Sequence, residues 1–446
     1  MTETIEIKKG LDIPLEGNAE KRIVDARSIG RYAVKPPDVV GFVPRLLVAE
    51  GDRMEAGQPL VEDKHDSRLF LPSPVSGIVE AIVRGDKRKL LEVVVTHQYT
   101  PNSEFCGVPS AQPTISNSLT PEAPVWWMLR ERPFGTIANP DHKPKGIYVS
   151  LRDTNPLAPD IDFALKGREH EFEAGVKALE AFAKVHCVKA EGPHPAGNIG
   201  TIVAALDPIN KGECVWTVNA QDVANIGRWC LSGEYRPERV VAVGGPAAKT
   251  PHYYRVLCGT SLKQISEAQM IDENYPSLSR ESRSTRIISG SPLSGTAVVA
   301  DGFLGMYDQQ VCFIEEGDHH ELLGWIMPNL NKFSFSQTFL SGFSKLLSPL
   351  GLLGIPKPSY NFNTSLHGGR RPLMFTGDME RVFPFDIYPM QLIKACIVGD
   401  VELQEKLGIY EVEPEDLALC EFIDPSKTEI QTIIREALEV LRKEAE

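Results

Sequence analysis

The sequence lacks closely spaced cysteines, and this absence excludes several cofactors. Its 446 residues include 8 cysteines, and no two of them stand in a C-x-x-C spacing. Iron–sulfur clusters and structural zinc ions are usually held by such groups of cysteines. The sequence therefore predicts no iron–sulfur cluster and no zinc cassette, and it predicts thiols that stay reduced in the cytosol.

Positive charge and long apolar runs are also scarce. Lys and Arg number 47 against 60 Asp and Glu, and the formal net charge of −13 disfavours a nucleic-acid partner, which would need a basic surface. The N-terminus has no continuous apolar stretch of the kind found in a secretory signal. The most apolar region, 333–356, is interrupted by Lys345, Pro349 and several glycines, so we expect no membrane-spanning helix there.

Common catalytic and metal-binding motifs are missing as well. The sequence contains no G-x-G-x-x-G loop, no G-x-S-x-G nucleophile elbow and no H-E-x-x-H. His319 and His320 sit among acidic residues, but neighbours on a strand face opposite ways, and no other histidine follows three or four positions later. We interpret this pair as a solvated polar turn, and the sequence predicts no catalytic residue and no metal ligand.

The N-terminal part contains short β runs separated by glycine and proline. The stretches 50–60 and 73–83 are typical of the two halves of a biotinyl- or lipoyl-like β domain, which presents a lysine at a hairpin tip. Lys64 is the candidate for that lysine. Three residues separate Leu60 from Lys64, whereas Pro74 follows ten positions later, so the lysine is off the hairpin centre. We therefore interpret the scaffold as structural.

The remaining chain changes character several times. A stretch rich in Pro, Ser and Thr precedes alternating strands and helices, then come β runs in a turn-rich setting, and finally helical periodicity. This order predicts an α+β multidomain protein. The predicted regions are 1–97 with the biotinyl/lipoyl-like β domain, 98–124 as a linker or crossing loop, 125–238 as a Rossmann-like α/β domain, 239–313 as a β-grasp (SLBB-like) domain, and 314–446 as a connecting segment and C-terminal helical domain.

The clearest helix signal lies at the C-terminus. Ser426 and Glu429 have the spacing of a capping box. Beyond them, Ile430, Ile434 and Leu438 recur at the spacing of one helical face. The pattern predicts an amphipathic helix that starts at the capping box.

The segment EGPHPAGNIGTIVAAL is the best candidate for an anion-binding loop. Its candidate residues are His194, Gly197, Asn198 and Gly200, because the glycines would let backbone N–H groups approach an anion. The run that follows, 201–206, is apolar and β-like, whereas a dinucleotide site would open a helix there. The pattern therefore fits either an anion site or a tight structural turn.

Long, irregular strings along the chain resemble one known family. Among them are VAEGDRMEAGQPLVEDK, PHPAGNIGT, WTVNAQDVANIGR, SGSPLSGTAVVADGFLGMY and GDMERVFPFDIYPMQLIKACIVGDVE. They look like the A subunit of the bacterial Na+-translocating NADH:quinone oxidoreductase, and the resemblance runs from about Ile5 to Glu436. That family is related to the C subunit of the Rnf complex and to the flavin-carrying NADH-binding subunit of respiratory complex I.

The resemblance implies a soluble subunit, peripheral to the cytoplasmic face of the bacterial inner membrane. Its partners would be the other subunits of a six-subunit respiratory complex, some of them integral to the membrane, which couples electron transfer from NADH to ubiquinone with Na+ export. NADH, flavins and the iron–sulfur centre would belong to those other subunits. This chain would carry no cofactor, although ubiquinone, which needs only an apolar cleft and a few hydrogen-bond donors, is allowed as a ligand.

Two other functions stay open from the residues alone. One is a lipoyl- or biotinyl-type carrier protein that uses Lys64, and the other is a nucleotide-binding oxidoreductase that uses the α/β domain. An added mass on the purified chain would indicate the first. Flavin absorbance would indicate the second.

A subunit that joins a membrane complex needs an exposed apolar surface. The apolar segment 333–356 and the aromatic segment 380–391 are the candidates, although the first could equally fill an internal core. The candidate docking residues are Phe333, Phe339, Phe343, Leu352, Phe383, Phe385 and Tyr388.

Overall fold

The structure of the chain is a computed structural model that describes residues 2–27, 30–97, 119–270, 284–317, 332–333, 335 and 359–445. Its strands are, in chain order, β1 (Thr2–Glu6), β2 (Glu20–Asp25), β3 (Arg31–Val34), β4 (Pro44–Leu46), β5 (Arg53–Met54), β6 (Pro59–Asp63), β7 (Phe70–Pro72), β8 (Gly77–Arg84), β9 (Leu90–His97), β10 (Arg130–Arg132), β11 (Thr136–Ile137), β12 (Ile147–Ser150), β13 (Val185–Glu191), β14 (Val215–Thr217), β15 (Glu238–Gly244), β16 (His252–Leu257), β17 (Thr285–Ser289), β18 (Thr296–Val298) and β19 (Gln310–Glu315).

The α-helices of the described residues are α1 (Ile161–Ala164), α2 (Glu169–Leu179), α3 (Ile199–Leu206), α4 (Ala220–Ser232), α5 (Lys263–Gln269), α6 (Met379–Val382), α7 (Pro389–Val398), α8 (Val401–Lys406), α9 (Ala418–Ile423) and α10 (Ile430–Ala445). Single 3₁₀ turns lie at Pro36–Asp38, Asp86–Arg88, Trp126–Met128, Ile409–Glu411 and Pro414–Leu417. None of the helices in these ranges combines the length and the apolar composition needed to cross a bilayer.

The N-terminal β domain is built from two small sheets, in the strand orders β3-β9-β8-β5 and β4-β6-β7. Neighbouring strands in both sheets are antiparallel. Leu60, Leu71, Val93 and Val95 are fully buried between the sheets, as expected where alternate side chains of each strand face the interior. The arrangement agrees with the predicted biotinyl/lipoyl-like scaffold.

The α/β domain has a mainly parallel sheet in the order β1-β13-β12-β14-β10-β11. Strands β1, β13, β12 and β14 are parallel, and β10 and β11 form an antiparallel edge. Helices α2 and α4 pack side by side. The rings of Trp126, Phe182 and Trp216 lie 5.5 to 5.7 Å apart in the core. Strands alternating with helices thus form the layered domain that the sequence predicts.

One element of this domain differs from the prediction. The apolar run 201–206 is β-like in its sequence pattern, but in the structure it belongs to helix α3, which begins at Ile199. Ile202 and Val203 are buried, while Leu206 is exposed, so the run has one buried face. Periodicity does not distinguish a strand from a helix in so short an apolar run, and this explains why the predicted element type is wrong.

The sheet of the third domain, called the third sheet below, has the order β18-β17-β19-β15-β16-β2. Its strand β2 comes from the N-terminus and pairs in parallel with β16, so the first residues of the chain complete two different sheets. Inside the protein, the Arg239 guanidinium on β15 donates two 2.7 Å hydrogen bonds to the Asp222 carboxylate on α4. Both side chains are fully buried, so this ion pair ties the third sheet to the α/β domain.

The C-terminal region is helical from Met379 onward, as predicted. It has its own apolar core, in which the Phe383 and Phe385 rings stack at 4.6 Å between centroids. On α10, the predicted face is buried at Ile430, Ile434 and Leu438. The helix therefore packs on this core through the stripe that its sequence pattern defines.

The start of α10 differs from the predicted capping box. The helix begins at Ile430, because Asp424 accepts hydrogen bonds from the backbone N–H groups of Ser426 and Thr428 and holds that segment in a turn. The first helical turn is capped from a distance, since the backbone N–H of Gln431 donates 2.8 Å to Glu421 Oε2. Glu429, the expected capping acid, is paired with Arg370 on the surface.

Candidate functional site

A cleft of about 130 Å³ opens where the parallel strands of the α/β sheet end. Residues at and beyond the ends of β12 and β14 line it, together with the start of helix α3. Open α/β sheets bind their ligands in the crevice outside the carboxyl ends of the strands. This position makes the cleft the candidate binding site of the domain.

Most of the side chains that line the cleft are polar or charged. Its apolar side chains are those of Ile161, Ile199, Val218 and Ala220. Its polar and charged side chains are those of Arg130, Ser150, Arg152, Asp153, Asn155, Asn198, Thr217, Asn219, Gln309 and Glu415. Guanidinium and amide groups in such number suit a small polar or anionic ligand, because they donate hydrogen bonds to oxygen acceptors.

Glu415 is the most perturbed acid of the cleft. Burial raises its pKa to about 7, and the negative charges of Asp416 and Glu413 act in the same direction, while Arg130 opposes them. Burial also raises the pKa of Asp153 on the opposite strand end. Acids whose pKa values are raised and that line a cleft are typical of functional sites, although buried ion-pair networks produce the same effect.

The predicted anion loop lies only partly in the cleft. Gly197 and Asn198 line it. The carbonyl oxygen of Gly197 accepts a 2.8 Å hydrogen bond from Ser150 Oγ, and its N–H donates 2.9 Å to Thr154 Oγ1. A Cβ atom on Gly197 would lie 2.4 Å from the carbonyl oxygen of Arg152. The glycine is therefore needed for close packing between two loops, whatever ligand the cleft holds.

Gly200 faces a protein carboxylate instead of the cleft. A Cβ atom at this position would lie 2.2 Å from Asp416 Oδ1, so the Asp416 carboxylate rests against the first turn of α3. An acid at this end of a helix is favourable, because the helix dipole is positive there. Asp416 is fully buried and forms an ion pair with Arg132 of β10. The chain itself thus supplies an anion at the place where the sequence suggested an external one.

His194 is buried in the neighbouring turn. Burial lowers its pKa to about 4, so the imidazole is neutral near pH 7. Its backbone N–H donates 3.0 Å to Asp12 Oδ1, and its carbonyl accepts 2.7 Å from the N–H of Leu11. These bonds fasten the N-terminal segment to the domain, and they indicate a structural role for this histidine.

The predicted docking residues have different surroundings. Phe333 packs its ring 5.7 Å from the rings of Tyr360 and Phe362. Phe383 and Phe385 are buried in the C-terminal core, so these two side chains cannot present a docking surface in this fold, and their apolar character serves the core instead. Tyr388 is 66% exposed. Phe339, Phe343 and Leu352 lie outside the described residues, as do His319 and His320.

Exposed apolar residues lie at both ends of helix α7, and of these only Tyr388 is a docking residue predicted from the sequence. Tyr388 precedes the helix, and Ile397 and Val398 at its end are 53% and 80% exposed. Between them, Lys394 Nζ lies 4.1 Å above the ring of Phe375, which is also exposed. We call these four apolar residues and Lys394 the α7 surface. Tyr388 lies within the segment 380–391, whereas Phe375 precedes it and Lys394, Ile397 and Val398 follow it. The contact between Lys394 and Phe375 is made by the fold.

Lys64 is exposed and is the first residue after strand β6. The turn that it opens is fixed to the α/β domain, because Arg68 Nη2 donates 2.7 Å to Asp141 Oδ2. The Lys64 backbone N–H also donates 2.9 Å to the carbonyl of Val43. A hairpin tip that is fastened to a neighbouring domain does not have the freedom of a swinging arm.

Three metal-ligating side chains meet on the edge of the α/β domain. Glu131, His142 and Cys214 bring one oxygen, one nitrogen and one sulfur atom within 4.8 Å of one another. His142 Nδ1 lies 2.8 Å from Glu131 Oε1, and the Trp216 indole N–H donates 3.0 Å to Glu131 Oε2. We call these three residues the ECH cluster. Sequence spacing could not reveal it, because its members are up to 83 positions apart.

Three domain families match the chain. The NqrA N-terminal barrel-sandwich hybrid domain matches residues 5–98. The NqrA second alpha/beta domain matches 112–191 and 180–235, and the NQRA C-terminal domain, of the SLBB type, matches 240–300. These matches confirm the predicted fold class of barrel-like, α/β and SLBB-like domains.

Full-length relatives match over nearly the whole chain. The A subunit of the Na(+)-translocating NADH-quinone reductase of Pasteurella multocida is 37% identical over 99% of this chain and 100% of its own length. The proteins of the same name from Neisseria meningitidis serogroup B and Haemophilus influenzae are each 35% identical with the same chain coverage. A solved NAD+-reducing [NiFe]-hydrogenase shares 9% identity and a TM-score of 0.31 over 68% of this chain and 60% of its own, too little to carry an argument.

Proposed function

Because the chain belongs to the family of the A subunit of Na(+)-translocating NADH-quinone reductase, we propose that it is the peripheral subunit of such a complex at the cytoplasmic face of the inner membrane. One observation carries this proposal, namely identity of 35–37% across 99% of the chain and the full length of the relatives. In the proposed assembly, the other subunits include integral membrane proteins. The assembly passes electrons from NADH to ubiquinone and exports Na+.

In this proposal the chain organises its partners and carries no redox centre of its own. Electron transfer needs a flavin, a haem, a cluster or a quinone, since ordinary side chains do not supply one. The described cysteines are free thiols, and several of them are buried. Burial raises the pKa of both Cys258 and Cys312 to about 12, so these thiols stay protonated at neutral pH. We assign NADH, flavins and the iron–sulfur centre to the other subunits.

We further propose that the cleft holds a small polar or anionic group, with Gly197 and Asn198 on its rim. The guanidinium groups of Arg130 and Arg152 support this, because they can pair with oxygen acceptors.

The carrier function of Lys64 is tested by intact mass. We propose an unmodified lysine, because its hairpin turn is fastened to the α/β domain by Arg68 and Asp141. The mass of the chain purified from its own complex should equal the mass calculated from the sequence. A lipoyl or biotinyl increment that vanishes in Lys64→Arg would favour the carrier function instead.

The experiment that tests the main proposal combines copurification with deletion. A tagged copy of the chain should bring the integral membrane subunits out of solubilised membranes, and the isolate should show Na+-stimulated NADH:quinone reductase activity. The chain produced alone should be colourless and inactive. Deletion of its gene should abolish the activity, and a plasmid copy should restore it. Recovery of the tagged chain alone, from cells that assemble an active reductase without it, would contradict the proposal.

A further inference from the structure

We propose that the ECH cluster is a binding site for a divalent transition-metal ion, with Zn²⁺ as the matching class. Zinc is bound in proteins by carboxylate oxygen, imidazole nitrogen and thiolate sulfur at about 2.0–2.3 Å. Glu131, His142 and Cys214 provide one atom of each kind, all within 4.8 Å of one another. The site is distinct from the cleft, and it does not depend on the proposed membership of a respiratory complex.

Glu131 is held in position by groups outside the cluster. The carboxylate accepts a hydrogen bond of 3.0 Å from the indole N–H of Trp216, which is fully buried. Its Oε2 also accepts from the backbone N–H of Asn139 at 3.4 Å. Metal-binding carboxylates are usually oriented by such outer partners. Glu131 Oε1 lies 2.8 Å from His142 Nδ1, so an ion would bind both atoms in place of the hydrogen bond between them.

The loop that carries His142 is also fixed. Asn139 closes a turn, since its carbonyl accepts 3.0 Å from the N–H of His142 and its Oδ1 accepts 2.9 Å from the N–H of Asp141. The Asp141 carboxylate is in turn held by Arg68 of the β domain at 2.7 Å. His142 therefore approaches Glu131 and Cys214 from a loop that two domains hold in place, which reduces the ordering needed on binding.

The chemistry of the three donors selects the kind of ion. The Cys214 thiol, which donates to the Lys143 carbonyl, would lose its proton to solvent when an ion binds. The resulting thiolate and the Glu131 carboxylate together neutralise a 2+ charge, and the soft sulfur disfavours Mg²⁺ and Ca²⁺, which take oxygen ligands. Three protein ligands leave a fourth tetrahedral position for water. The His142 side chain is 52% exposed, so water can reach this position from the surface. Without an ion, the same groups form an ordinary hydrogen-bonded cluster, and the experiment distinguishes the two.

The test uses the full chain after removal of metals with a chelator. Titration with Zn²⁺ should show one ion bound per chain, and Co²⁺ should give a thiolate-to-metal charge-transfer absorbance band. His142→Gln and Cys214→Ser should each weaken Zn²⁺ binding by at least about tenfold, and the serine variant should lose the Co²⁺ band. Cys396→Ser alters a half-buried cysteine of the helical region and should bind as the unaltered chain does.

Thermal unfolding gives a second readout that does not depend on absorbance. Because an ion that binds only the folded state stabilises it, Zn²⁺ should raise the Tm of the unaltered chain and of Cys396→Ser, but not that of His142→Gln. His142 is exposed enough that its variant should fold normally. Absence of stoichiometric Zn²⁺ binding, or equal affinity and an unchanged Co²⁺ band in Cys214→Ser, would overturn the proposal.

Discussion

At the scale of single residues, Glu415 links the cleft to pH. Its pKa is raised from 4.5 to about 7, first by burial and then by the neighbouring acids Asp416 and Glu413. The folded state therefore holds a proton on Glu415 between about pH 4.5 and pH 7, where the unfolded state has released it. Folding stability must fall as pH rises through this window, because the folded state binds more protons there.

Glu415→Gln should remove this dependence. The glutamine keeps the shape of the protonated acid and cannot ionise, so we expect the variant to be more stable than the unaltered chain at pH 7.5, by about 3 kcal/mol. Below about pH 4 the two proteins should be equally stable. Urea unfolding at a series of pH values measures the difference. A constant difference at every pH would mean that Glu415 does not titrate in this range.

Gly200 is a second residue with a specific consequence. An added Cβ would meet the Asp416 carboxylate, which is buried and paired with Arg132, so neither group can easily move away. Gly200→Ala should therefore destabilise the protein by about 1–3 kcal/mol, as overpacking typically does. Gly369→Ala is the matched control, because a Cβ at Gly369 meets no atom within 4 Å. Equal stability of the two variants in urea would show that the helix and the acid are not in contact.

At the scale of elements, the start of α10 in the structure differs from the start that the sequence pattern predicts. Glu421→Ala removes the acceptor of the Gln431 N–H and should cost about 1 kcal/mol, the usual cost of losing a helix cap. Glu429→Ala removes only an exposed partner of Arg370 and should cost less than about 0.5 kcal/mol. Thermal unfolding of both variants shows which of them loses more stability. A larger loss of stability in Glu429→Ala than in Glu421→Ala would instead support the capping box predicted from Ser426 and Glu429.

Elements whose residues follow a clear local pattern can be predicted from the sequence. The alternation of β14, α4 and β15 is readable because two short apolar runs flank a longer segment that mixes polar and apolar residues. In the structure all three elements are almost entirely buried. The run 201–206 is not readable in this way, since a short apolar segment fits a strand or a helix equally. Domain boundaries stay predictions.

The cleft could be predicted least, because it joins residues that are distant in the chain. Arg130 and Glu415 belong to different domains, and no spacing connects them. The ECH cluster likewise joins residues that are distant in the chain. The aromatic segment 380–391 shows the converse, because its phenylalanines read as a surface but fill the core around α7. Local patterns report that a residue is apolar or polar, and only the packing of whole elements decides which neighbour it meets.

At the scale of the whole molecule, the domains are joined through shared elements. The N-terminal segment supplies β1 to the α/β sheet and β2 to the third sheet before the β domain begins. The fully buried Arg132–Asp416 pair joins the α/β domain to the helical region. Breaking a buried pair on one side leaves an uncompensated charge, which is strongly unfavourable. The described domains are thus linked by shared strands and by a buried ion pair, and we call them together the platform.

The proposed docking of this platform gives the last prediction. Phe375→Asp and Val398→Asp each place a charge on the α7 surface, where the side chains are exposed and no core contact is lost. If membrane subunits bind here, either change should weaken copurification by about tenfold or more, since a central interface residue contributes roughly 2 kcal/mol. Val299→Asp is the matched control, because Val299 is 69% exposed, directly follows β18 and is not part of the α7 surface.

The result decides between two surfaces. All three variants should keep the Tm of the unaltered chain, so a loss of copurification in the two α7 variants alone would reflect lost contact and not unfolding. If both remain in the complex as Val299→Asp does, the α7 surface is not the docking site. Docking would then be sought in the apolar segment 333–356, where Phe339→Asp and Leu352→Asp should release the chain from membranes while it stays folded. An acidic protein with an apolar contact of either kind should also stay bound in high salt, because screening weakens charge pairs but not apolar burial.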